Sequence, residues 1–292
     1  MPKATILKGI GSFYYVKSGD DIIECKARGI FRKDNTIPLP GDRVEISVLD
    51  EQKKIGRIEE IFPRISELIR PAVANVGTVI IVIAVKSPAP NFELIDKILI
   101  SAAKQALKCV LCVNKIDIDD GDCLECIKDN YGPAQYPIIA TSSVLNQGFE
   151  ELLTVIKGDT SVLAGASGVG KSTILNKIRG FELMQTGGLS RKIDRGKHTT
   201  RHAELFELCK DTFIVDTPGF SSYEMPKIDC KELQLYYPEF DEYIGKCMFR
   251  GCSHVTEPSC AVRDALQLGK INEDRYLRYS EFFKRLEKFK EW

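Results

Sequence analysis

The spacing of apolar and polar residues changes twice along this 292-residue chain and divides it into three stretches. From residue 1 to about 66, short apolar runs alternate with polar positions at period two and are interrupted by Gly, Pro and Asp, as in "GSFYYVKSGDDIIECKARGIF", "LPGDRVEISVL" and "KIGRIEEIF". Period-two alternation with closely spaced turns predicts a small β-barrel. From Arg70 the texture becomes strand and helix in turn. "TVIIVIAV" reads as a buried strand, "NFELIDKILISAAKQALK" as a helix, "CVLCVNKID" and "YPIIATSS" as strands running into loops, and a short helix starts at Phe149. "SVLAG" leads through a loop into "KSTILNKIRG", and "ELFEL" and "TFIVDTPG" are two further strands. Such alternation predicts a mostly parallel sheet covered on both faces, with ligands beyond the carboxyl ends of the strands. After Gly219 the pattern dissolves into a Cys/His cluster and the charged, helix-prone "EDRYLRYSEFFKRLEKFKEW". The expected domains are therefore a barrel over 1–66, an α/β domain over 67–225 and a smaller, mostly helical unit over 226–292.

Composition sets limits on this layout. With 43% hydrophobic and 28% charged residues, the chain reads as an ordinary folded, soluble protein. The longest apolar stretch, Val76 to Val85, is too short to span a bilayer, so no membrane association is expected. The start "MPKATILKGIGSF" lacks a long apolar core and a small-residue cleavage site, which points to a cytoplasmic location. Ten cysteines in such a chain read as reduced thiols with a metal site among them. A formal net charge of zero argues against indiscriminate coating of nucleic acid. It leaves room for a local cationic segment, and residues 177–202 carry seven Lys/Arg against two acidic residues.

"GASGVGKS", residues 165–172, matches G-x-x-x-x-G-K-[ST] between a strand and a helix. Gly165, Ala166, Ser167, Gly168, Val169, Gly170, Lys171, Ser172 and Thr173 are the expected phosphate-binding residues. The glycines let backbone N–H groups approach phosphate, Lys171 reaches the outer phosphates, and Ser172 is the expected magnesium ligand. "NKID" at 114–117 selects the base: the Asp117 carboxylate can accept from guanine N1–H and its exocyclic amine, while Asn114 and Lys115 hold the loop and the ring. A second "NK" at 176–179 has Arg179 where a carboxylate is required, so it is set aside. "TSSVLNQGFEEL" resembles the loop that gives a backbone N–H to the guanine carbonyl, here from Ser142 and Ser143. "DTPG" offers Asp216 to magnesium and the Gly219 N–H to the γ-phosphate, and "GKHTTR" offers Thr200 as the switch threonine. GTP or GDP with magnesium is the expected ligand.

The motif order is base, base loop, phosphate loop, first switch, second switch; rotating it restores that of a Ras-like domain. Circular permutation is tolerated because domain termini often lie close together. Here it runs the second switch directly into the C-terminal segment. "PLPGDRVEI" resembles the turn and strand of oligonucleotide/oligosaccharide-binding (OB) barrels, which either bind nucleic acid or only pack against a neighbour. Together these features resemble, over the whole chain, the ribosome small-subunit-dependent GTPase A family. The resemblance implies an OB-like barrel, a circularly permuted Ras-like P-loop GTPase domain and a C-terminal zinc domain. It also implies GTP hydrolysis stimulated by the small ribosomal subunit and a role in late maturation of that subunit, with its rRNA as partner and the protein acting as a monomer. The alternatives are a GTP-dependent RNA-binding scaffold with incidental turnover, or a signalling GTPase with a protein effector.

Many Ras-like GTPases place a water-orienting Gln where this chain has Phe220, so unassisted turnover is expected to be slow. Lys171, Thr200 and His198 are the catalytic candidates; His198 either orients water or contacts rRNA phosphate. Gly168 stands where potassium-linked relatives carry Asn, so no potassium dependence is expected. Cys247, Cys252, His254 and Cys260 form C-x4-C-x-H-x5-C, a donor set suited to tetrahedral structural zinc with no open position for catalysis. Cys109, Cys112, Cys123 and Cys126 imitate a zinc ribbon, but the first two lie in a strand where positions three apart face opposite ways. From Lys246 onward, ten Lys/Arg against seven acids permit an RNA-facing surface or a solvated helix face.

Overall fold

The computed structural model describes residues 2–29, 31, 36–69, 71–185, 203–216 and 226–288, with the backbone alone for 181–185 and 216. The described chain forms two compact units, residues 1–80 with 149–221 and residues 81–148 with 222–292.

The first unit opens with the expected barrel. Strands β1 (Lys3–Ile10), β2 (Phe13–Ser18), β3 (Asp21–Ala27), β4 (Arg43–Asp50) and β5 (Ile55–Ile61) close in the order β1-β2-β3-β5-β4. β3 runs parallel to β5 and the other neighbours are antiparallel, the Greek-key arrangement of an OB barrel. Alternation puts Ala4, Ile6, Val16, Ile23, Val44, Ile46 and Ile58 inside. A short hairpin, β6 (Glu67–Ile69) with β7 (Ala72–Ala74), follows. It is tied back by Arg64, whose guanidinium donates to both oxygens of the buried Asp42 at 2.7 and 2.8 Å.

The α/β part contains β8 (Thr78–Ala84), β9 (Lys108–Asn114), β10 (Ile138–Thr141), β11 (Thr160–Ala164), β12 (Glu204–Cys209) and β13 (Thr212–Asp216) in the order β10-β9-β8-β11-β13-β12. β10 is parallel to β9 and β11 to β13, while β12 is antiparallel to β13. All seven residues of β8 are buried, as its unbroken apolar run requires. Helix α1 (Phe92–Lys104) starts where Asn91 Oδ1 accepts the Leu94 N–H at 2.9 Å. Helices α2 (Asp122–Tyr131), α3 (Phe149–Val155) and α4 (Lys171–Gln185) follow strands or loops as expected. No described helix is long and apolar enough to cross a membrane.

In the second unit, helices α5 (Ala261–Gln267) and α6 (Glu273–Lys288) build the C-terminal core with the 3-10 turn Cys230–Tyr236. Ile100 of α1 belongs to the same core as Leu233, Tyr237, Phe240, Tyr279 and Phe282. Beside it lies an ion network. Arg275 is 2% exposed and Asp96 is fully buried. Arg275 Nη1 donates to Asp96 Oδ1 at 2.5 Å and its Nε to Glu239. Arg278 donates to Asp96 Oδ2 at 2.6 Å and to Asn130 Oδ1 at 2.9 Å, and the Tyr131 hydroxyl donates to Asp96 at 2.8 Å. Burial opposes the charge of Arg275, but the carboxylates of Glu239 and Asp96 outweigh it and hold the guanidinium proton far more tightly than water does. Arg275 and Arg278 are committed inside the protein and Arg285 pairs with Glu93 at the surface, so three of the ten cations counted from Lys246 already have carboxylate partners outside that count, and the charge surplus there overstated what an RNA could meet. Replacing Arg275 with Met strands Glu239 without a counter-charge and is expected to cost about 3–5 kcal/mol. Arg285→Met, at an exposed pair, is expected to cost under about 1 kcal/mol; urea unfolding of the two variants checks the contrast.

Candidate nucleotide and metal sites

The base-reading motif is built at two neighbouring strand ends. Asn114 is the last residue of β9 and Thr141 the last of β10, paired in register, with Thr141 Oγ1 3.3 Å from Asn114 Oδ1. Lys115 turns the chain in a left-handed conformation (φ 65°), and its ammonium donates to the Ser87 carbonyl. The 3-10 turn Ile116–Ile118 presents Asp117, whose Oδ1 accepts from Ser142 Oγ at 2.5 Å. The same Ser142 oxygen accepts the Leu145 N–H at 3.0 Å, so the carboxylate is held by a hydroxyl that is itself held. The Asp119 carboxylate then accepts the Leu124 N–H in the first turn of α2 at 3.0 Å.

The loop after β10 closes with a bridge in which the Ser142 N–H donates to Gln147 O at 3.2 Å and the Gln147 N–H returns to Ser142 O at 3.0 Å. Gly148 completes it at φ 83°, where a Cβ would lie 2.0 Å from the Ala140 carbonyl oxygen. No other residue fits there. Ser142 therefore spends its N–H and its hydroxyl inside the protein and serves to position Asp117. Ser143 differs: its hydroxyl oxygen is sealed from solvent with no hydrogen-bond partner in the described structure.

The phosphate loop leaves β11 at Ala164 and enters α4 at Lys171. Gly165, Gly168 and Gly170 all have positive φ, at 133°, 79° and 101°, which lets the backbone curl tightly before the helix. Lys171 Nζ donates to Gly165 O at 2.8 Å and Ala166 O at 2.7 Å, across the mouth of its own loop. Burial holds its pKa below the ordinary lysine value. A partly desolvated ammonium on a nest of N–H groups at a helix N-terminus suits an anion. Arg179, the residue that disqualified the second "NK", stacks 3.8 Å from the centroid of Phe206. Asp216 ends β13; Thr200, His198, Gly219 and Phe220 lie outside the described residues.

The metal-type centre is closed by protein donors. The ligand atoms of Cys247, Cys252, His254 and Cys260 lie within 4.8 Å of one another. Cys247 Sγ is 3.9 Å from Cys260 Sγ, and His254 Nδ1 is 3.5 and 3.3 Å from those two sulfurs. Tetrahedral zinc, with Zn–S near 2.3 Å and Zn–N near 2.0 Å, sets S···S at about 3.8 Å and N···S at about 3.5 Å. The donors thus fit. His254 Nε2 lies 2.8 Å from Gln234 Oε1, the partner that fixes Nδ1 toward the thiols. Gln234 belongs to no motif and was invisible in the sequence. Burial pushes the Cys252 thiol up to about 12 and also raises Cys260, so a cation bound by these sulfurs would displace protons from them. Tyr276 and Tyr279 donate to the carbonyls of His254 and Ser253 at 2.7 and 2.8 Å, joining the knuckle to α6. The imitation ribbon is absent: burial pushes Cys109 and Cys112 up to about 12 in β9, and Cys123 and Cys126 belong to α2.

An OB-type barrel, a Ras-like sheet with base motif ahead of phosphate loop, and a Cys3His centre define a circularly permuted P-loop GTPase with an added barrel. Family models agree: the RsgA N-terminal domain matches residues 3–58 and the RsgA GTPase matches 61–226. The "Small ribosomal subunit biogenesis GTPase RsgA" of Ruminiclostridium cellulolyticum is 52% identical over 288 residues, covering 98% of this chain and 94% of that protein. Its counterpart in Alkaliphilus metalliredigens is 45% identical, covering 99% of each. Among solved structures, YjeQ from Thermotoga maritima matches at TM-score 0.82 and 35% identity over 98% of both chains. YloQ, described as a circularly permuted GTPase, matches at TM-score 0.82 and 34% identity over 99% of this chain and 96% of its own. The chain belongs to the RsgA GTPase family. Ser142→Ala frees the Asp117 carboxylate and is expected to weaken GDP binding about tenfold, the effect of losing roughly 1.4 kcal/mol; titration with a fluorescent GDP analogue checks it.

Proposed function

We propose that this GTPase binds the maturing small ribosomal subunit through its rRNA and that contact with the subunit triggers GTP hydrolysis and release. The observation that carries the nucleotide part is the Asp117 carboxylate held by the Ser142 hydroxyl, next in sequence to the buried Ser143 hydroxyl. Guanine N1–H and its exocyclic amine are donors for Asp117, and the loop at Ser143 offers a donor for the guanine carbonyl. The Gly165–Thr173 segment cradles the phosphates, with Lys171 turning from its own loop carbonyls to the outer phosphates. Ser172, Asp216 and Thr200 are the magnesium ligands in this reading, and Gly219 supports the γ-phosphate. Magnesium, once bound, neutralises charge that develops on the phosphate oxygens. Zinc at Cys247, Cys252, His254 and Cys260 has a structural role, since four protein donors leave no open position.

The names of the relatives support the ribosomal partner, and the OB topology supports rRNA contact by residues 1–66. Residues 67–225 are the GTPase part and 226–292 the metal part of this scheme. The protein works as a cytoplasmic monomer. With Phe220 in the sequence at the usual water-orienting position, the subunit completes the catalytic site in this reading, and His198 is the candidate of this chain for orienting water. Multiple-turnover GTP hydrolysis with and without purified small subunits tests the reading. Stimulation of about tenfold or more by small subunits alone is expected, since partner-completed GTPase sites gain far more than that. GTP-dependent binding to the subunit without stimulation would instead make the protein a scaffold.

A further inference from the structure

The barrel makes a specific contact inside its own unit that neither the motifs nor the family assignment explains. Strand β12 is last in the sheet order and so has an open edge, a feature that proteins cover or blunt. Lys8 of β1 places its Nζ 2.8 Å from Glu204 Oε1, and Lys17 of β2 places its Nζ 2.8 Å from Glu207 Oε2. The four side chains are 21–30% exposed, half-withdrawn from water. Lys8 is oriented further by the Tyr15 ring, 5.5 Å from its ammonium, and the Tyr15 hydroxyl is fixed by donating to Glu24 at 3.0 Å.

The position of Glu204 gives this contact its meaning. It is the first residue of β12, two positions beyond the cationic segment that ends at His202. In the β12–β13 register it stands opposite Asp216, the last residue of β13 and the first of "DTPG". Glu207 stands opposite Phe213, farther along the ribbon. The barrel therefore grips a two-stranded ribbon at the end from which both switch motifs continue. Ion pairs of this exposure add little to stability, so two of them aligned on one strand act on geometry more than on folding.

We infer that Lys8 and Glu204 are positioning residues for subunit-stimulated hydrolysis, transmitting the barrel's engagement with rRNA to the β12–β13 ribbon, with Lys17 and Glu207 as a second point of attachment. This rests on the reading that rRNA binds the barrel and that the subunit stimulates turnover. Coupling requires an element that both sites act on, and the ribbon is continuous with the magnesium motif at one end and ion-paired to the barrel at the same end.

Charge exchange tests it. Lys8→Glu and Glu204→Lys are compared singly and together with the native protein for basal GTP turnover, turnover with purified small subunits, and co-sedimentation with those subunits. Each single variant is expected to lose about fivefold or more of the stimulated rate, the lower end of ordinary coupling between sites, while basal turnover and co-sedimentation stay native; the double exchange is expected to restore stimulation. Lys17→Glu with Glu207→Lys provides an independent pair should either first variant fold poorly. Native stimulation in all single variants, or a double exchange that restores nothing, overturns the inference while leaving the subunit-triggered reading intact. Absence of stimulation in the native protein overturns both.

Discussion

A guanidinium sealed from water is tolerable only where carboxylates answer its charge, and Arg275 meets that condition with Asp96 on α1 and Glu239 beside the C-terminal core. The consequence is architectural. Asp96 also takes Arg278 and the Tyr131 hydroxyl, so one buried carboxylate joins α1, α2 and α6. The same α6 supports the Cys3His knuckle through Tyr276 and Tyr279, and Asp119, two residues beyond Asp117, accepts the Leu124 N–H in the first turn of α2. Metal knuckle and base-reading loop are thus parts of one packed body, connected by hydrogen-bonded groups that leave few alternatives for the helices between them.

Permutation of the motif order gives that body its significance. In a Ras-like domain the chain leaving the second switch continues into further sheet. Here "DTPG" at 216–219 instead precedes the segment that folds around the metal-type centre. At the other end of the sequence the barrel is ion-paired to β12, whose first residue opposes Asp216. The strand pair that ends at Asp216 is thus ion-paired to the barrel and precedes the metal-type segment in sequence, whereas the base-reading loop is held by the Ser142 hydroxyl and the bridge to Gln147. A motif order that runs the phosphate-side "DTPG" into a further module in sequence suits a GTPase whose hydrolysis responds to what that module binds.

Much of this was legible in the sequence because it rests on spacing. Period-two alternation located the barrel strands, the uninterrupted apolar run located β8, and C-x4-C-x-H-x5-C located four donors that meet within 4.8 Å. The local chemistry of Ser142 was less accessible: its motif suggests a backbone donor for guanine, but the bridge to Gln147 takes that N–H and its hydroxyl goes to Asp117. Arg275 and Arg278 were illegible for a different reason. In "EDRYLRYSEFFKRL" they look like a solvated cationic stripe, and only the tertiary meeting with Asp96, some 180 positions earlier, turns them inward. Lys8 and Glu204 likewise carry no motif, since an ion pair between strands distant in sequence leaves no periodic trace.

Guanine selection by Asp117 is the point on which the nucleotide assignment turns, and it can be measured without a ribosome. Fluorescent GDP, XDP and ADP analogues titrated against the native protein and Asp117→Asn separate base reading from phosphate binding. An Asn amide keeps an acceptor for the base N1–H but offers an N–H where xanthine presents a carbonyl and guanine an amine. Native protein that prefers GDP, with a variant that weakens for GDP and gains XDP, is the expected result. A variant with undiminished preference for GDP, or native binding of ADP as tight as GDP, would contradict the assignment.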